Sequence, residues 1–309
     1  MLTSTRELLE TARRHVYAIG AFNIYNLEGV QAVVKAAEAC QSPAMLQLHP
    51  SSLKYGGSPL VALCLEAART ATVPISVHLD HSTSAEAIRF ALEAGMNSIM
   101  ADGSHLPYAE NQVFTQAMTQ LAHAYGAVVE AEIGRISGTE DGLSVAEKEA
   151  KMTDPMQAGE FVKITQVDAL AVTIGNVHGE YKSEPRLDFD RLVRIRQRVG
   201  EDVLLVLHGA SGLPAQMISR SIELGVCKFN VNTEVRQAYM QTLNLEKCIA
   251  EDADLVPCME AVVDAMQQIV MQKMELFGSA HKAHLHQSPY ARMLTAAQER
   301  QRQMTIHRG

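Results

Sequence analysis

The chain has 309 residues, 47% of them hydrophobic and 20% charged, with a formal net charge of −8. A chain of this length buries a large core without covalent staples, and acid spread along it argues against nucleic acid as a partner. No apolar run approaches the ~20 residues of a membrane span, Met1 to Glu10 is too polar for a signal peptide, and the five scattered cysteines form no CxxC. That cysteine usage excludes a disulfide framework and a cysteine zinc site, and makes the cytoplasm the expected compartment.

Strand-like and helix-like runs alternate almost to the end. Tyr17 to Phe22 reads as a strand, followed by a helix, Asn26 to Cys40, with Val30, Val33, Val34 and Ala37 on one face. Ala44 to Leu48 and Leu60 to Thr70 repeat the pair, as do Ile75 to Leu79 with Ala85 to Ala94, and Ser98 to Ala101 with Asn111 to Tyr125. Ala127 to Ala131 is the fifth strand. Then the rhythm breaks: Gly134 to Asp154 carries three glycines, a cluster of acids and little apolar periodicity. A loop that long inside a compact domain is usually functional. The alternation resumes with the helix Pro155 to Thr165, the strand Ala169 to Ile174 and the helix Asp190 to Val199. Val203 to Leu207 with Pro214 to Leu224, and Val226 to Val231 with a helix from Glu234, complete eight units.

Eight β/α units predict a parallel sheet with right-handed crossovers, closed into a (β/α)8 TIM barrel with a C-terminal helical extension. A doubly wound open sheet is the alternative. It needs a glycine-rich fingerprint after the first strand, and Gly20-Ala21-Phe22-Asn23 is not one. The barrel domain is expected to occupy residues 1–280. A basic, polar arm follows over 281–309, with His281, His284 and His286 as surface residues of an oligomer contact.

In such a barrel the reactive groups stand at the C-terminal strand ends. The third strand ends in Asp80 and His81, the fourth in Asp102, and the fifth in Glu130 and Glu132. The sixth leads to His178, the seventh to His208, and the eighth to Asn230, Asn232 and Thr233. Taken singly, each histidine could be a satisfied core residue. Taken together, His81, His178 and His208 are placed as the ligands of a catalytic zinc would be, leaving positions open for substrate. The pleat of a strand sends neighbours to opposite faces, so Asp80 and His81 are expected to diverge, one toward metal and one toward proton transfer. Gly209-Ala210-Ser211-Gly212 and Val231-Asn232-Thr233 each precede a helix, where backbone N–H groups suit a phosphate or simply close an ordinary turn.

His78-Leu79-Asp80-His81, Asp102-Gly103-Ser104-His105, Glu130-Ala131-Glu132-Ile133-Gly134, Gly175-Asn176-Val177-His178-Gly179-Glu180-Tyr181-Lys182, Leu207-His208-Gly209-Ala210-Ser211-Gly212 and Asn230-Val231-Asn232-Thr233 follow one another in order. Together they resemble the signature blocks of the class II, metal-dependent ketose-bisphosphate aldolases, from about Thr3 to Ser279. The resemblance implies zinc held by His81, His178 and His208. It gives Asp102 and Glu132 an alternate zinc position or a second divalent ion. It makes Asp80 the proton donor to the aldehyde oxygen and Glu140 the base on a loop. It assigns Gly179, Gly209, Ala210, Ser211, Asn230, Val231, Asn232 and Thr233 to dihydroxyacetone phosphate, with Lys182 as a nearby cation. A monovalent cation near Gly179 and Ser211 also belongs to that pattern.

The implied reaction is reversible cleavage of a ketose 1,6-bisphosphate, fructose 1,6-bisphosphate first, to dihydroxyacetone phosphate and an aldehyde. Zinc takes up the charge of the enediolate as a Lewis acid. Tagatose 1,6-bisphosphate or another phosphorylated sugar is the alternative. A zinc-dependent isomerase or epimerase and a non-catalytic barrel are the readings from other classes. One departure concerns the aldehyde half: relatives usually carry a small hydroxyl residue near Leu48, whereas here His49-Pro50 precedes Ser51 and Ser52. A phosphorylated sugar is the expected partner, in a homodimer or homotetramer, with neither nucleic acid nor membrane.

Overall fold

The computed structural model describes residues 1–140, 143–145, 151–179, 181, 184–244, 248, 250 and 253–286, with only the backbone path for 137–140 and 143–145. The first elements are α1 (Thr5–Arg14), β1 (Ile19–Asn23), α2 (Leu27–Ala39), β2 (Ala44–Leu48), α3 (Pro50–Thr70) and β3 (Ile75–Ser82). Next come α4 (Ala85–Glu93), β4 (Ser98–Ala101), α5 (Tyr108–Ala124), β5 (Val128–Ile133), β6 (Ser137–Glu140) and β7 (Leu143–Val145). The chain continues with α6 (Pro155–Thr165), β8 (Ala169–Val172), β9 (Val177–His178), α7 (Phe189–Val199) and β10 (Leu204–Leu207). It ends in α8 (Ala215–Glu223), β11 (Val226–Val231), α9 (Thr233–Leu243), α10 (Leu255–Leu276) and a short 3-10 turn, Ala283–His286.

Eight parallel strands close in the order β1-β11-β10-β8-β5-β4-β3-β2, the expected (β/α)8 barrel. The pleat sorts their side chains into two layers. Leu46, Leu48, Val77, Leu79, Val129 and Phe229 point outward into the helices. Ile19, Met45, Met100, Ala169, Leu204 and Val206 point inward and form the lower plug of the barrel. Several helices start where a side chain captures an orphan backbone N–H: Asn26 accepts from Gly29, Ser84 from Ala87, Asp154 from Met156 and Gln157, and Asp188 from Arg191.

Four features depart from the sequence reading. Thr5–Arg14 forms a helix because Leu8, Leu9 and Ala12 share one face, and that face packs beneath the barrel with Tyr17 and Met45. Helix α3 starts at Pro50, ten residues before Leu60, and turns at Gly57 (φ 56°). The stretch expected as one loop after β5 holds the antiparallel pair β6–β7, and β9 adds to it in parallel. An extra strand leaving the barrel mouth gives these glycine-containing segments a backbone partner. The arm also begins packed: His286 is buried, with Nε2 2.7 Å from the Tyr17 hydroxyl, so it is not a surface residue. Residues 287–309 lie outside the described residues.

Candidate metal centre and substrate mouth

Asp80 and His81 sit at the end of β3, and the expected divergence does not occur. Continued alternation would send His81 outward with Val77 and Leu79. Instead His81 adopts φ 40°, and the pairing of β3 with β4 shifts between Leu79 and Ser82. This left-handed step turns the imidazole back over the mouth, so both side chains serve one site. Such strain in a non-glycine residue is tolerated where the surroundings fix it.

Three sides fix His81. Its Nδ1 pairs with Asp102 Oδ2 at 2.7 Å, its Nε2 faces His208 Nδ1 at 2.9 Å, and its ring meets that of His178 edge to face, centroids 5.2 Å apart. His208 Nε2 pairs in turn with Glu130 Oε1 at 2.9 Å. His178 comes from β9, outside the barrel wall, and pairs in register with Gly138 of β6. The backbone that carries Glu140 is thereby tied to a candidate ligand. The Glu140 side chain and Lys182 lie outside the described residues.

Ligand atoms of His81, His178 and His208 lie within 4.8 Å of one another, as do those of His81, Asp102 and Glu132. Among the described residues no other group of three such donors comes as close, so His281, His284 and His286 do not form a metal cluster. The donor chemistry fits a divalent ion. With Nδ1 of His81 and Nε2 of His208 turned to carboxylates, the nitrogens that face each other meet across a proton carried by His81 or, once that proton leaves, as two lone pairs open to one metal ion. Glu132 Oε2 is buried without a hydrogen-bond partner, 4.0 Å from His81 Nδ1 and 3.8 Å from His208 Nδ1.

The electrostatics agree. Burial and the neighbouring His81 push His178 down to about 3. Burial, His81 and Lys228 push His208 well below its ordinary value. Burial also opposes charge on His81, yet Asp80, Asp102 and Glu132 outweigh it and raise that imidazole well above the usual range. Burial, with Asp102 and Glu130 nearby, raises Glu132. A cluster that accepts one cation shows this split, with neutral histidines around a single positive centre.

Asp80 is fully buried beside these rings. Burial disfavours its charge, but His81, His208 and Lys228 more than compensate and hold the carboxyl below the usual range. Amides grip it: Asn230 Nδ2 donates to Oδ1 at 3.0 Å, and Gln47 Nε2 donates to Oδ2 at 3.2 Å. Asn23 Nδ2 stands 3.5 Å from Oδ2, and Asn23 Oδ1 accepts from the same Gln47 amide at 2.6 Å. Sequence reasoning missed Asn23, Gln47 and Lys228. Their signal was polarity at inner positions of otherwise apolar strands, clearest for Lys228 within Val226-Cys227-Lys228-Phe229.

The expected phosphate loops border the same mouth. Gly209 has φ 67°, and a Cβ there would stand 2.1 Å from the Val177 carbonyl oxygen, so only glycine lets the two loops meet. Tyr181 ties them by donating to Gly209 O at 3.0 Å while its oxygen accepts from Val177 N at 3.2 Å. Ala210, Ser211 and Asn232 are buried there, and Asn232 Oδ1 accepts from Tyr25. Gly179 follows His178 with φ 84°. Thr233 opens α9. Val231 packs its side chain into the outer core, leaving only its backbone for the mouth. His49 caps α3, with its Nδ1 accepting from Ser51 N at 3.2 Å.

Known proteins share this frame. The model of the class II fructose-bisphosphate aldolase family matches residues 3–282. A protein provisionally assigned as a fructose-1,6-bisphosphate aldolase, from Coccidioides immitis, is 40% identical, with TM-score 0.86, covering 90% of this chain and 97% of its own. The YdjI aldolase from Escherichia coli K12 is 37% identical, with TM-score 0.81, over 92% and 100%. A fructose-bisphosphate aldolase from Campylobacter jejuni, 22% identical with TM-score 0.74 over 91% and 97%, shares the fold. With nearly its whole length matched by that model, this chain belongs to the class II fructose-bisphosphate aldolase family.

Proposed function

We propose that the protein is a zinc-dependent aldolase that reversibly cleaves a ketose 1,6-bisphosphate, fructose 1,6-bisphosphate first, to dihydroxyacetone phosphate and glyceraldehyde 3-phosphate. The observation that carries this reading is the convergence of His81, His178 and His208 beside an amide-held Asp80. These histidines would hold zinc, with Asp102 and Glu132 as an alternate or second position. Bound zinc supplies Lewis-acid chemistry toward the ketone and its neighbouring hydroxyl.

The chain's own residues do the rest. Asp80 takes the proton of the C4 hydroxyl as the C3–C4 bond breaks and returns it to the aldehyde oxygen in condensation. Its amide cage keeps one carboxylate orientation through that exchange. Glu140 delivers the proton at C3 of the released three-carbon fragment and removes it in reverse. The loops at Gly179, Gly209 to Ser211 and Asn230 to Thr233 take the phosphate of that fragment, aided by Lys182, with backbone N–H groups and the start of α9 suited to an anion. A monovalent cation near Gly179 and Ser211 belongs to the same reading.

His49, where relatives carry a hydroxyl residue nearby, borders the aldehyde half and makes tagatose 1,6-bisphosphate the second candidate. No helix among the described residues is long and apolar enough to cross a membrane, and free cysteines among the described residues agree with a reducing cytoplasm. The test is a panel of fructose, tagatose and other ketose phosphates with zinc-loaded protein, reading dihydroxyacetone phosphate release. Cleavage of one bisphosphate far above the others is expected. Epimerised substrate without triose release would replace the aldolase reading with an epimerase.

A further inference from the structure

The chemistry above leaves the buried charge of Lys228 unused. Lys228 stands midway along β11 on the inner face of the barrel, with none of its side chain exposed. Its ammonium donates to Glu130 Oε2 at 2.8 Å and to Asn230 Oδ1 at 2.7 Å. Each acceptor has a second bond aimed at the site. Glu130 Oε1 pairs with Nε2 of His208 at 2.9 Å, and Asn230 Nδ2 donates to Asp80 Oδ1 at 3.0 Å.

These bonds constrain one another. With its Oδ1 taken by Lys228, Asn230 can present only its NH2 group to Asp80; flipped, it would set an oxygen against a carboxylate. With Glu130 held as an acceptor, His208 must carry hydrogen on Nε2 and offer the lone pair of Nδ1 to the metal centre. We propose that Lys228 is a positioning residue that fixes two orientations at once: the Asn230 amide that holds Asp80, and, through Glu130, the tautomer of His208 that binds metal. This inference rests on the aldolase reading of the site. It adds that the metal-binding half and the proton-transfer half share one buried cation.

Three variants of the full chain test it: Lys228→Met, Glu130→Gln and the double variant. Zinc affinity is read by chelator competition and by the visible absorption of the Co2+-loaded protein, and kcat and KM by triose release. Lys228→Met is expected to lose on the order of 10–100-fold in zinc affinity. At saturating zinc its kcat falls by more than its KM rises, because Asp80 loses the amide that orients it while the loops at Gly179 and Gly209 to Ser211 make no bond to Lys228. Glu130→Gln loses affinity because its amide nitrogen then faces the lysine. The double variant removes that clash while Gln still accepts from His208, so affinity returns and kcat stays low.

Joint recovery of both would show simple charge balance and overturn the proposal. So would Lys228→Met with wild-type zinc affinity and kcat. If Lys228→Met fails to fold, the nearly isosteric Glu130→Gln decides on affinity: an unchanged value overturns the proposal. Wild-type protein that binds no zinc overturns this inference and the proposed function together. If the wild type binds zinc but cleaves no ketose phosphate, the function falls, and the affinity comparison still decides the role of Lys228.

Discussion

The lower and upper halves of the barrel interior are built from the same strands, yet they obey opposite rules. Below, Ile19, Met45, Met100 and Val206 close on Leu8 and Leu9 of α1 in an apolar plug. One pleat repeat further along, at the same inner parity, Met45 gives way to Gln47, Met100 to Asp102 and Val206 to His208. For the apolar side chains of that plug volume and apolarity suffice, so near-isosteric swaps are tolerated there. The upper half buries ions and amides in low dielectric, where each must have a partner and every orientation matters. The barrel divides its labour by height: stability below, chemistry above.

The substitution expected to separate the halves most is His208→Ala. It removes one of three candidate ligands, so zinc content and triose release should both fall to background while the apolar plug keeps the chain folded. Metal analysis with circular dichroism checks this, and stoichiometric zinc with normal turnover would break the assignment. Asp80→Ala should act next most strongly and more selectively. Zinc content should be kept, because the three candidate ligand histidines remain, and kcat should fall by roughly 10²–10⁴, the range of a lost proton-transfer group. Full cleavage by that variant would transfer the C4 proton to another residue.

Legibility in the sequence follows the same division by height. The eight units could be read because outward residues such as Leu46, Val77 and Phe229 make short apolar runs between helices. The candidate ligands His81 and His208 could be read because they follow closely on those runs. What hid was what depends on three dimensions. Nothing local shows that His81 takes φ 40° and turns back to the mouth instead of diverging from Asp80. His178 could be placed after the sixth strand, but not on a separate strand pairing with Gly138. Helix α1 was missed because its burial comes from the barrel floor and not from a neighbouring unit.

Below the mouth the expected effects move from activity to stability. Leu9 is fully buried in the plug, so Leu9→Ala should cost about 2–5 kcal/mol. Its kcat per folded molecule should stay at the wild-type value, since no bond to the site passes through α1. Denaturant unfolding and triose release measure the two separately. A large drop in kcat at saturating substrate would show that floor and mouth are coupled.

The smallest effect belongs to the seam between Tyr17 and His286, where the arm docks under the barrel. Burial, with His15 and His284 nearby, depresses His286 from 6.5 to about 4. The folded state therefore resists a proton that the unfolded chain accepts near ~6.5. The stabilising contribution is complete above that unfolded value and is lost as pH falls from there toward about 4. His286 keeps some solvent access, so the loss should be no more than about 1 kcal/mol. It should appear as a lower Tm at about pH 5 than at about pH 7.5, a shift that His286→Gln reduces because glutamine does not titrate. Zinc affinity should not differ between wild type and variant at either pH, because this seam lies at the opposite end of the barrel from His81 and His208. If the variant keeps the full wild-type pH slope, the titrating group lies elsewhere; if its zinc affinity changes, the separation of floor from mouth fails.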